Sequence, residues 1–377
     1  MIMKALKRLA NNVFIYRERK EYRKKLKSKK SDLLKTKQFK RYPIEQNKPI
    51  VCHYPFYNKK DTEWFDFYYS VYNKPSADFI PPPVYNLYIE PCLNQYSLSK
   101  AIEQKNSYDL YPGNVKTPRT LLRRINSFYY DSHYQHVDCV DTKLKDMLSS
   151  YSEVIIKPSI RSGSGKSIMK FERIDGGYSY KKRILDVAFL NDYDSDFIIQ
   201  EVVRQHRFFR QFNPGSNNTI RVLTYRSVRD DAIHILHTLL RIGRKDRFMD
   251  HDNLGGVAVA ITKEGYLKDY AIDVKGVKHE SFNDVHFKKI SKVPFIEDIH
   301  QTVEQIAGKI YYCRLLAVDF TVNENGESLL VDTNCEGNGV SQYQMNSGTL
   351  FREFTVEVLD YCSDHYRMNG SSIIRVY

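Results

Sequence analysis

Apolar and polar positions follow two periods along this chain, and each period predicts a different kind of element. Short apolar runs bounded by Gly, Pro, Asn or Asp are typical of strands, and they occur at 154–158, 168–174, 197–203, 219–226, 233–242, 257–261, 267–272, 315–322 and 328–332. Spacings of three and four residues predict helices at 180–190, 299–313 and 351–366. Glu264-Gly265 is a hairpin signal, and Asn325-Gly326 is a strong signal for a two-residue hairpin turn. The mixture predicts an α+β fold with antiparallel sheets.

The first 42 residues form a segment of their own. They hold 16 basic and 3 acidic residues, so the whole net charge of +13 lies there. Ile2, Leu6, Leu9, Val13 and Tyr16 fall on one face of a predicted helix. An apolar stripe beside dense positive charge suits an anionic membrane surface. The alternative is a basic helix that packs on the body or on another subunit. We expect no nucleic-acid partner, because no binding module for one follows.

Length and composition indicate a globular protein of more than one lobe. The chain has 377 residues, of which 42% are hydrophobic and 27% charged. We expect no membrane-spanning segment, because no run approaches roughly 20 apolar residues, and no signal peptide, because charges follow the first five residues. The six cysteines are scattered without the short paired spacing of a zinc site or a disulfide framework. These features predict a cytoplasmic protein, peripheral at the inner membrane face if the basic helix docks there.

A lysine and a Gly/Ser-rich loop follow each other in the segment 154–167. Lys157 interrupts an apolar strand, so it is a candidate phosphate ligand unless the strand lies at an edge with the ammonium in water. The loop is not a P-loop, because position 160 is Ile rather than Gly and the loop joins two strands instead of opening a helix. Free amides in such a loop can close over phosphates, although a plain hairpin turn fits the pattern as well. The candidate loop residues are Ser162, Gly163, Ser164, Gly165 and Lys166.

Acidic residues interrupt two apolar strands near the end of the chain. Asp319 lies within the first strand and Asp332 ends the second, and the turn between them should place both carboxylates in one pocket. Asn334 is two residues on, so it shares the side of Asp332. Two carboxylates and an amide oxygen are hard ligands suited to magnesium. The alternative is a pair of solvated strand ends, which leaves the acids in such apolar runs unexplained.

Two arginines also lie within predicted strands. Arg221 and Arg241 carry the side chain best suited to a developing phosphoryl charge or to a carboxylate. Ordinary salt bridges are the competing explanation. Glu201, which comes at the end of the apolar residues that begin the strand 197–203, can accept hydrogen bonds from a ribose or can simply end the strand there.

Taken together, these segments resemble the ATP-grasp enzymes, and more narrowly the sugar-transfer-associated ATP-grasp proteins of polysaccharide assembly. The resemblance covers about residues 75–360. It is carried by 155–159 with 162–166, 198–203 with His206, 213–222, 240–243, 252–256, 318–320 and 331–334. It implies two α+β lobes whose antiparallel sheets clasp ATP. The corresponding division is 1–42 as the basic helical segment, 43–116 as an N-terminal region, 117–203 as the small lobe with the phosphate loop, and 204–377 as the C-terminal lobe with the metal and acceptor site.

The resemblance also implies a nucleotide site. Lys105 and Lys157 would contact the ATP phosphates beneath the Gly/Ser loop. The backbone from Gln200 to Val202 would meet adenine, and the Glu201 carboxylate would meet the ribose.

The implied acceptor and metal sites lie in the C-terminal lobe. Arg221 and Arg241 would face the γ-phosphate and an acceptor carboxylate, with Asn218 as a further catalytic residue of the same segment. The ligands of magnesium (Mg2+) would be Asp319, Asp332 and Asn334. This family usually has Glu at the position of Asp332, and Asp is one methylene shorter.

The implied reaction is ATP-dependent ligation of a carboxylate to an amine through an acylphosphate. The polysaccharide context suggests an amino acid or amine joined to a sugar acid. The alternatives are a kinase on the same fold and a nucleotide-binding scaffold that performs no chemistry.

Overall fold

The computed structural model describes residues 2–99, 101–110, 115–160, 167–194, 196–245, 247–250 and 255–369. These residues form two seven-stranded sheets with helices packed on them. The pairings between the named strands are antiparallel, which confirms the predicted α+β class. The predicted divisions at residues 42, 116 and 203 stay predictions.

The first sheet contains the strand with the candidate phosphate lysine. Its order is β2-β1-β7-β3-β4-β5-β6, so β3 lies between β7 and β4 rather than at an edge. Helices α6 and α7 contribute apolar residues to the core on one face of this sheet. The strands are β1 Thr120–Ile125, β2 Phe128–Tyr130, β3 Glu153–Pro158, β4 Met169–Ile174, β5 Gly177–Tyr180, β6 Arg183–Ile184 and β7 Phe197–Glu201.

The second sheet contains both candidate acids. Its order is β12-β11-β10-β9-β8-β15-β16. One face packs on a core with residues of α1, α2, α10 and α11, and the other face packs on α9. The strands are β8 Ile220–Arg226, β9 Ile233–Ile242, β10 Val257–Ile261, β11 Ala271–Asp273, β12 Lys278–His279, β15 Leu315–Val322 and β16 Ser328–Asn334, with β13 Ser281–Phe282 and β14 Val285–His286 as a separate hairpin.

Helices precede, connect and follow the sheets. Five short 3-10 segments, one of them at Lys105–Leu110, complete the described connections. The helices are α1 Ile2–Lys35, α2 Glu63–Tyr72, α3 Pro82–Val84, α4 Glu90–Leu93, α5 Tyr96–Ser99, α6 Val140–Leu148, α7 Val187–Tyr193, α8 Arg207–Arg210, α9 Ile296–Lys309, α10 Val340–Ser347 and α11 Thr355–Asn369, with a π-helical turn at Tyr85–Ile89.

The basic N-terminal segment is helical, as predicted, and it packs on the body through one face. Leu26 and Leu33 are buried in the core that α1 shares with the second sheet. Arg19 is buried as well, where it pairs with Asp61 and donates to the carbonyl oxygen of Phe56 at 2.8 Å. The body therefore covers a different face of α1 from the predicted apolar stripe.

Four of the five residues of the predicted stripe of α1 are exposed to solvent, and the side chain of the fifth, Ile2, lies outside the described part of the chain. Leu6, Leu9, Val13 and Tyr16 are 58%, 61%, 45% and 63% exposed. None of the helices in the described residues is both long and apolar enough to cross a membrane. All six cysteines are free thiols.

Two local predictions were wrong. The segment 180–190 is not one helix, because Arg183 and Ile184 pair with β5 and the helix begins only at Val187, where the Asp186 side chain accepts a hydrogen bond from the Phe189 amide. The Asn325-Gly326 turn is longer than two residues. Asn323 pairs with Glu327 through a backbone bond of 2.9 Å, and Gly326 takes the left-handed conformation with φ of 84°.

Candidate active site

Lys157 lies at the centre of the first sheet with its side chain on the face opposite that sheet's core. Val154 and Ile156 point into the core, so the alternation of a strand turns Lys157 to the other side. Only 7% of the residue is exposed. Burial, reinforced by the positive charge of Lys105, lowers the pKa of the Lys157 ammonium to about 7. The edge-strand alternative does not hold for this lysine.

The segment that follows α5 connects the ends of the two sheets. The Lys105 amide donates to the Ser159 carbonyl oxygen at 3.0 Å, directly after β3. The Lys105 ammonium, itself buried, lies 2.6 Å from an Oδ1 oxygen of Asp332 at the end of β16. The hydroxyl of Tyr108 donates to the same oxygen at 3.0 Å. Lys105 therefore bridges the strand that carries Lys157 and the strand that carries a candidate metal ligand.

The two acids face each other across neighbouring strands. Asp319 on β15 is the register partner of Asp332 on β16, as the turn between them predicts. Arg221, from β8, donates to Asp319 through Nε at 2.6 Å and through Nη2 at 2.5 Å. Arg241, from β9, places its Nη1 3.5 Å from the Oδ2 of Asp319. Burial alone would raise the pKa of the Asp319 carboxyl, but the two arginines outweigh it and hold that pKa below its usual value.

These contacts decide between the alternatives for this cluster. Asp319 is almost completely buried and Asp332 is half-buried, so neither is a solvated strand end. Arg221 does form a salt bridge, because the arginine and Asp319 form a bidentate pair. The same pair lies beside Lys105, whose charge also acts on Asp319. One connected cluster thus holds four cationic side chains and two carboxylates.

The remaining candidate residues, Asn218, Gln200, Glu201 and Asn334, form hydrogen bonds mainly to backbone groups. The side-chain Nδ2 of Asn218 donates to Gln205 Oε1 at 2.9 Å and to the Phe209 carbonyl oxygen at 2.9 Å. Its buried Oδ1 has no hydrogen-bond partner among the described residues. The Gln200 side chain donates to the Pro118 carbonyl oxygen at 3.0 Å. Glu201 accepts from the Arg119 amide at 3.0 Å, and Asn334 donates to the Ala317 carbonyl oxygen at 3.4 Å.

A cavity of about 470 Å³ lies beside the connection between the sheets. Ile155 and Lys170 line it from the first sheet, and residues 202–205, including Val202, line it from the connection. Ile155 shares the face of β3 with Lys157, two residues away. The cavity therefore adjoins the face of β3 that carries Lys157. The loop candidates Ser162, Gly163, Ser164, Gly165 and Lys166 lie outside the described residues, as do residues 252–254 of the segment 252–256.

Two residues near the cluster were not predicted from the sequence. Tyr108 lies three residues after the candidate Lys105, and this short spacing is a signal that could have indicated it. Glu103 accepts from the backbone amides of Cys335 at 2.6 Å and Glu336 at 3.1 Å, just after β16, and burial raises the pKa of its carboxyl to about 7. No sequence signal marks Glu103, because its partners lie more than 200 positions away in the chain.

The donor set fits a magnesium ion better than a softer metal. No cluster of three or more His, Cys, Asp or Glu side chains suited to a metal occurs in the described part of the chain. Magnesium does not need one, because it keeps several waters and is bound through one or two carboxylates together with phosphates. The candidate ligands are Asp319, Asp332 and the Asn334 amide oxygen. In this structure both oxygens of Asp319 accept from Arg221, and Oδ1 of Asp332 accepts from Lys105.

Comparison with known proteins identifies the type of fold. The chain matches the model of the family described as sugar-transfer associated ATP-grasp over residues 86–358, which is more than half of its length. No curated protein sequence matches the chain.

Solved structures resemble the chain only distantly. D-alanyl-alanine synthetase A from Vibrio cholerae matches with 13% identity and a TM-score of 0.40, over 73% of this chain and 66% of that one. N5-carboxyaminoimidazole synthetase from Staphylococcus aureus, complexed with ADP, matches with 9% identity and a TM-score of 0.38, over 68% and 51%. D-alanine-D-alanine ligase from Helicobacter pylori matches with 11% identity and a TM-score of 0.35, over 72% and 58%. The chain thus spans between about half and two thirds of the length of these proteins.

Proposed function

The chain belongs to the sugar-transfer associated ATP-grasp family, and from that premise we propose that it is an ATP-dependent ligase that joins a carboxylate to an amine. We propose further that the acid is a sugar acid, that the amine belongs to an amino acid or another small amine, and that the product enters a surface polysaccharide such as a capsule. ATP and magnesium would bind in the cleft between the two sheets.

The observation that carries this proposal is the connected cluster of charges. Four cationic side chains surround two carboxylates that face each other in register, and a cavity of about 470 Å³ adjoins the same face of β3. Three of these cations are permanent, and the fourth, Lys157, gains its charge when phosphate binds, so the cluster suits a polyphosphate and a transferring phosphoryl group. The four side chains are Lys105, Lys157, Arg221 and Arg241.

The reaction would proceed in two steps. An oxygen of the acid attacks the γ-phosphorus of ATP, the bond to the bridging oxygen breaks, and ADP leaves with that electron pair. The amine nitrogen then attacks the acyl carbon of the acylphosphate, inorganic phosphate departs, and the nitrogen loses a proton. The sum is one amide, one ADP and one phosphate for each ATP.

The side chains have separate roles in this scheme. Lys105 and Lys157 would bind the phosphates, while Arg221 and Arg241 would orient the acylphosphate and stabilise charge as it develops. The carboxylates of Asp319 and Asp332, with the Asn334 amide, would hold magnesium, which when bound neutralises phosphate charge. In the structure the Lys105 ammonium donates to one carboxylate oxygen of Asp332, so a cation neutralises the charge of that acid.

The direct test is release of ADP with pairs of substrates. Uronic acids and amino acids would be supplied singly and in pairs with ATP and magnesium, and products would be identified by mass spectrometry. We expect ADP release that requires both an acid and an amine. Release that needs only a hydroxyl acceptor would identify a kinase, and nucleotide binding without release for any pair would identify a scaffold.

Lys157 should make nucleotide binding depend on pH. Its pKa is about 7 in the free protein, so at pH 8 most of the side chain is neutral. Bound phosphate favours the protonated form and raises that pKa, so binding should take up close to one proton per site at pH 8. Affinity should therefore fall as pH rises above 7. Calorimetry at pH 8 in buffers of different ionisation enthalpy measures the uptake.

A variant with a permanent charge supplies the control for this prediction. Arg is always protonated, so Lys157→Arg should bind nucleotide without the uptake that belongs to position 157. Equal proton uptake by Lys157→Arg and the natural protein would show that another group titrates.

We also propose that α1 rests on an anionic membrane, at its cytoplasmic face. Leu6, Leu9, Val13 and Tyr16 point away from the body, and the same helical face continues through exposed basic residues. Insertion of the stripe would bury apolar area while the basic part meets lipid phosphates. The continuing basic residues are Lys20, Lys24 and Lys27.

Substitution tests this membrane surface better than deletion, because removal of residues 1–42 would also take Leu26 and Leu33 out of the core. We expect Leu9→Gln with Val13→Gln to weaken binding to phosphatidylglycerol-containing vesicles at least about tenfold. Binding should also weaken as salt rises. Ile184→Gln, an exposed apolar residue on the first sheet, serves as the control. Undiminished vesicle binding by the double variant would reject the proposal.

A further inference from the structure

A second cavity, of about 500 Å³, lies between α1 and the start of α10. Tyr22, Lys25 and Lys29 line it from α1, and Trp64 lines it from α2. Gly337 and residues 339–342 line it from the body. It shares no lining residue with the cavity beside the connection between the sheets. A cavity of this size is large enough for a small ligand, since ligand sites typically measure about 300–1,000 Å³.

The charges around this cavity favour an anion. Lys25, Lys29 and Lys275 contribute three positive charges against the single carboxylate of Asp32. Lys25 lies 5.2 Å from the centre of the Tyr22 ring, and Lys29 donates to the Val274 carbonyl oxygen. Within the described residues, neither Lys25 nor Lys275 forms an ion pair with a carboxylate. The charges of Lys25 and Lys275 are therefore not neutralised by a carboxylate of the described chain.

The rest of the lining suits a molecule that is not simply an ion. The half-buried ring of Tyr22 provides aromatic surface. The side chains of Trp64 and Met345, both only 2% exposed, form buried apolar parts of the wall. Ser341, Gln342 and Asn86 provide polar groups beside it. An aromatic ring next to amides and hydroxyls can pack on the C–H face of a sugar while its neighbours bind the sugar hydroxyls. Lysines at one side of such a lining add recognition of a carboxylate or a phosphate.

We propose that this cavity binds an anionic saccharide, a sugar unit that carries a carboxylate or a phosphate. The segment 337–342 begins three residues after Asn334, so the chain that ends the candidate metal strand continues directly into the wall of the cavity. The binding itself is independent of the ligase reaction. Its role as the place where the acceptor is held rests on the proposed function.

Trp64 provides the measurement, because it is the one tryptophan of the chain. Its fluorescence would be titrated with D-glucuronic acid and with glucose 1-phosphate, in the full chain without nucleotide, and glucose would serve as the neutral probe. We expect a saturable change with at least one of the two anions and about tenfold weaker binding of glucose. The better of the two anions identifies whether the charge is a carboxylate or a phosphate.

Charge substitutions at the cavity make the test specific. Lys25→Gln and Lys275→Gln should each weaken binding of the anion about threefold, and the double variant about tenfold, with no change for glucose. Lys35→Gln removes the same charge from the same helix at an exposed position outside the cavity, so it should leave the affinity unchanged. Equal losses in Lys35→Gln and Lys25→Gln would reduce the effect to general charge and overturn the proposal.

The saccharide site and the ligase reaction are separate proposals, and different results would overturn each of them. An unchanged Trp64 signal with both anions, confirmed by calorimetry, would overturn the saccharide site even if ADP release with acid and amine pairs is observed. A saturable, lysine-dependent signal in a protein that releases no ADP would uphold the site and reject the ligase.

Discussion

Replacement of Arg241 by methionine should lower ADP release by about a hundredfold to a thousandfold, with nucleotide affinity changed only a few fold. Loss of one preorganised donor to a developing charge costs about this much in turnover. Arg241 lies 3.5 Å from Asp319, which keeps its closer bidentate partner Arg221. The fold should therefore survive the change better than it would survive loss of Arg221. The measurement is kcat for ADP release beside the affinity for ADP.

The split between rate and affinity is what makes this result informative. A partner that acts on the transferring group acts mainly in the transition state, so its loss appears in kcat. Arg229→Met removes an exposed arginine from the turn between β8 and β9 and should keep kcat within about twofold. If Arg241→Met instead weakened ADP affinity and left kcat intact, Arg241 would be a nucleotide ligand, contrary to its assigned role.

Asp319→Asn should cost the fold about 3–5 kcal/mol of unfolding free energy. The reason is that Arg221, whose side chain is only 14% exposed, would keep its positive charge and lose the carboxylate that accepts from both Nε and Nη2. A buried charge without a partner is among the most destabilising changes a protein can carry. Urea denaturation of the variant and the natural protein measures the difference.

A paired substitution separates charge from packing in this prediction. Arg221→Met with Asp319→Leu removes both charges and should recover most of the lost stability, while remaining inactive. Asp230→Asn, at an exposed position after β8, should change the unfolding free energy by less than about 0.5 kcal/mol. A loss below about 1 kcal/mol for Asp319→Asn would mean that Arg221 reaches water, against the burial observed.

Much of this fold follows from local sequence. The apolar runs at 154–158 and 315–322 predicted β3 and β15 within a residue or so, because a strand buried on both faces has little choice of residue type. The polar residues inside those runs, Lys157 and Asp319, were visible for the same reason. A charge in a buried strand is costly, so its presence indicates a partner.

The partners themselves could not be predicted. The pair of Lys105 and Asp332 joins positions 227 residues apart, and no local pattern encodes such a contact. Glu103 was not predicted for the same reason, because its partners are also distant in the sequence. The helix predicted at 180–190 failed because the apolar positions there fit two periods, and pairing of β6 with β5 decided between them.

The N-terminal helix was predicted from the sequence, but its buried face was not. Periodicity identified α1 and its stripe of Leu6, Leu9, Val13 and Tyr16, but it could not say which face the body covers. The covered face holds Leu26 and Leu33, which are seven residues apart, with basic residues around them. Too few apolar residues mark that face for the sequence to reveal it.

Trapping of the activated acid tests the proposed reaction most directly. Hydroxylamine would be supplied in place of the amine, with ATP, magnesium and the acid that supports ADP release. We predict a hydroxamate of that acid, formed with one ADP and one inorganic phosphate for each molecule, and none from Arg241→Met beyond its reduced rate. A stable phosphorylated product without released phosphate would contradict the ligase and make the protein a kinase on this fold.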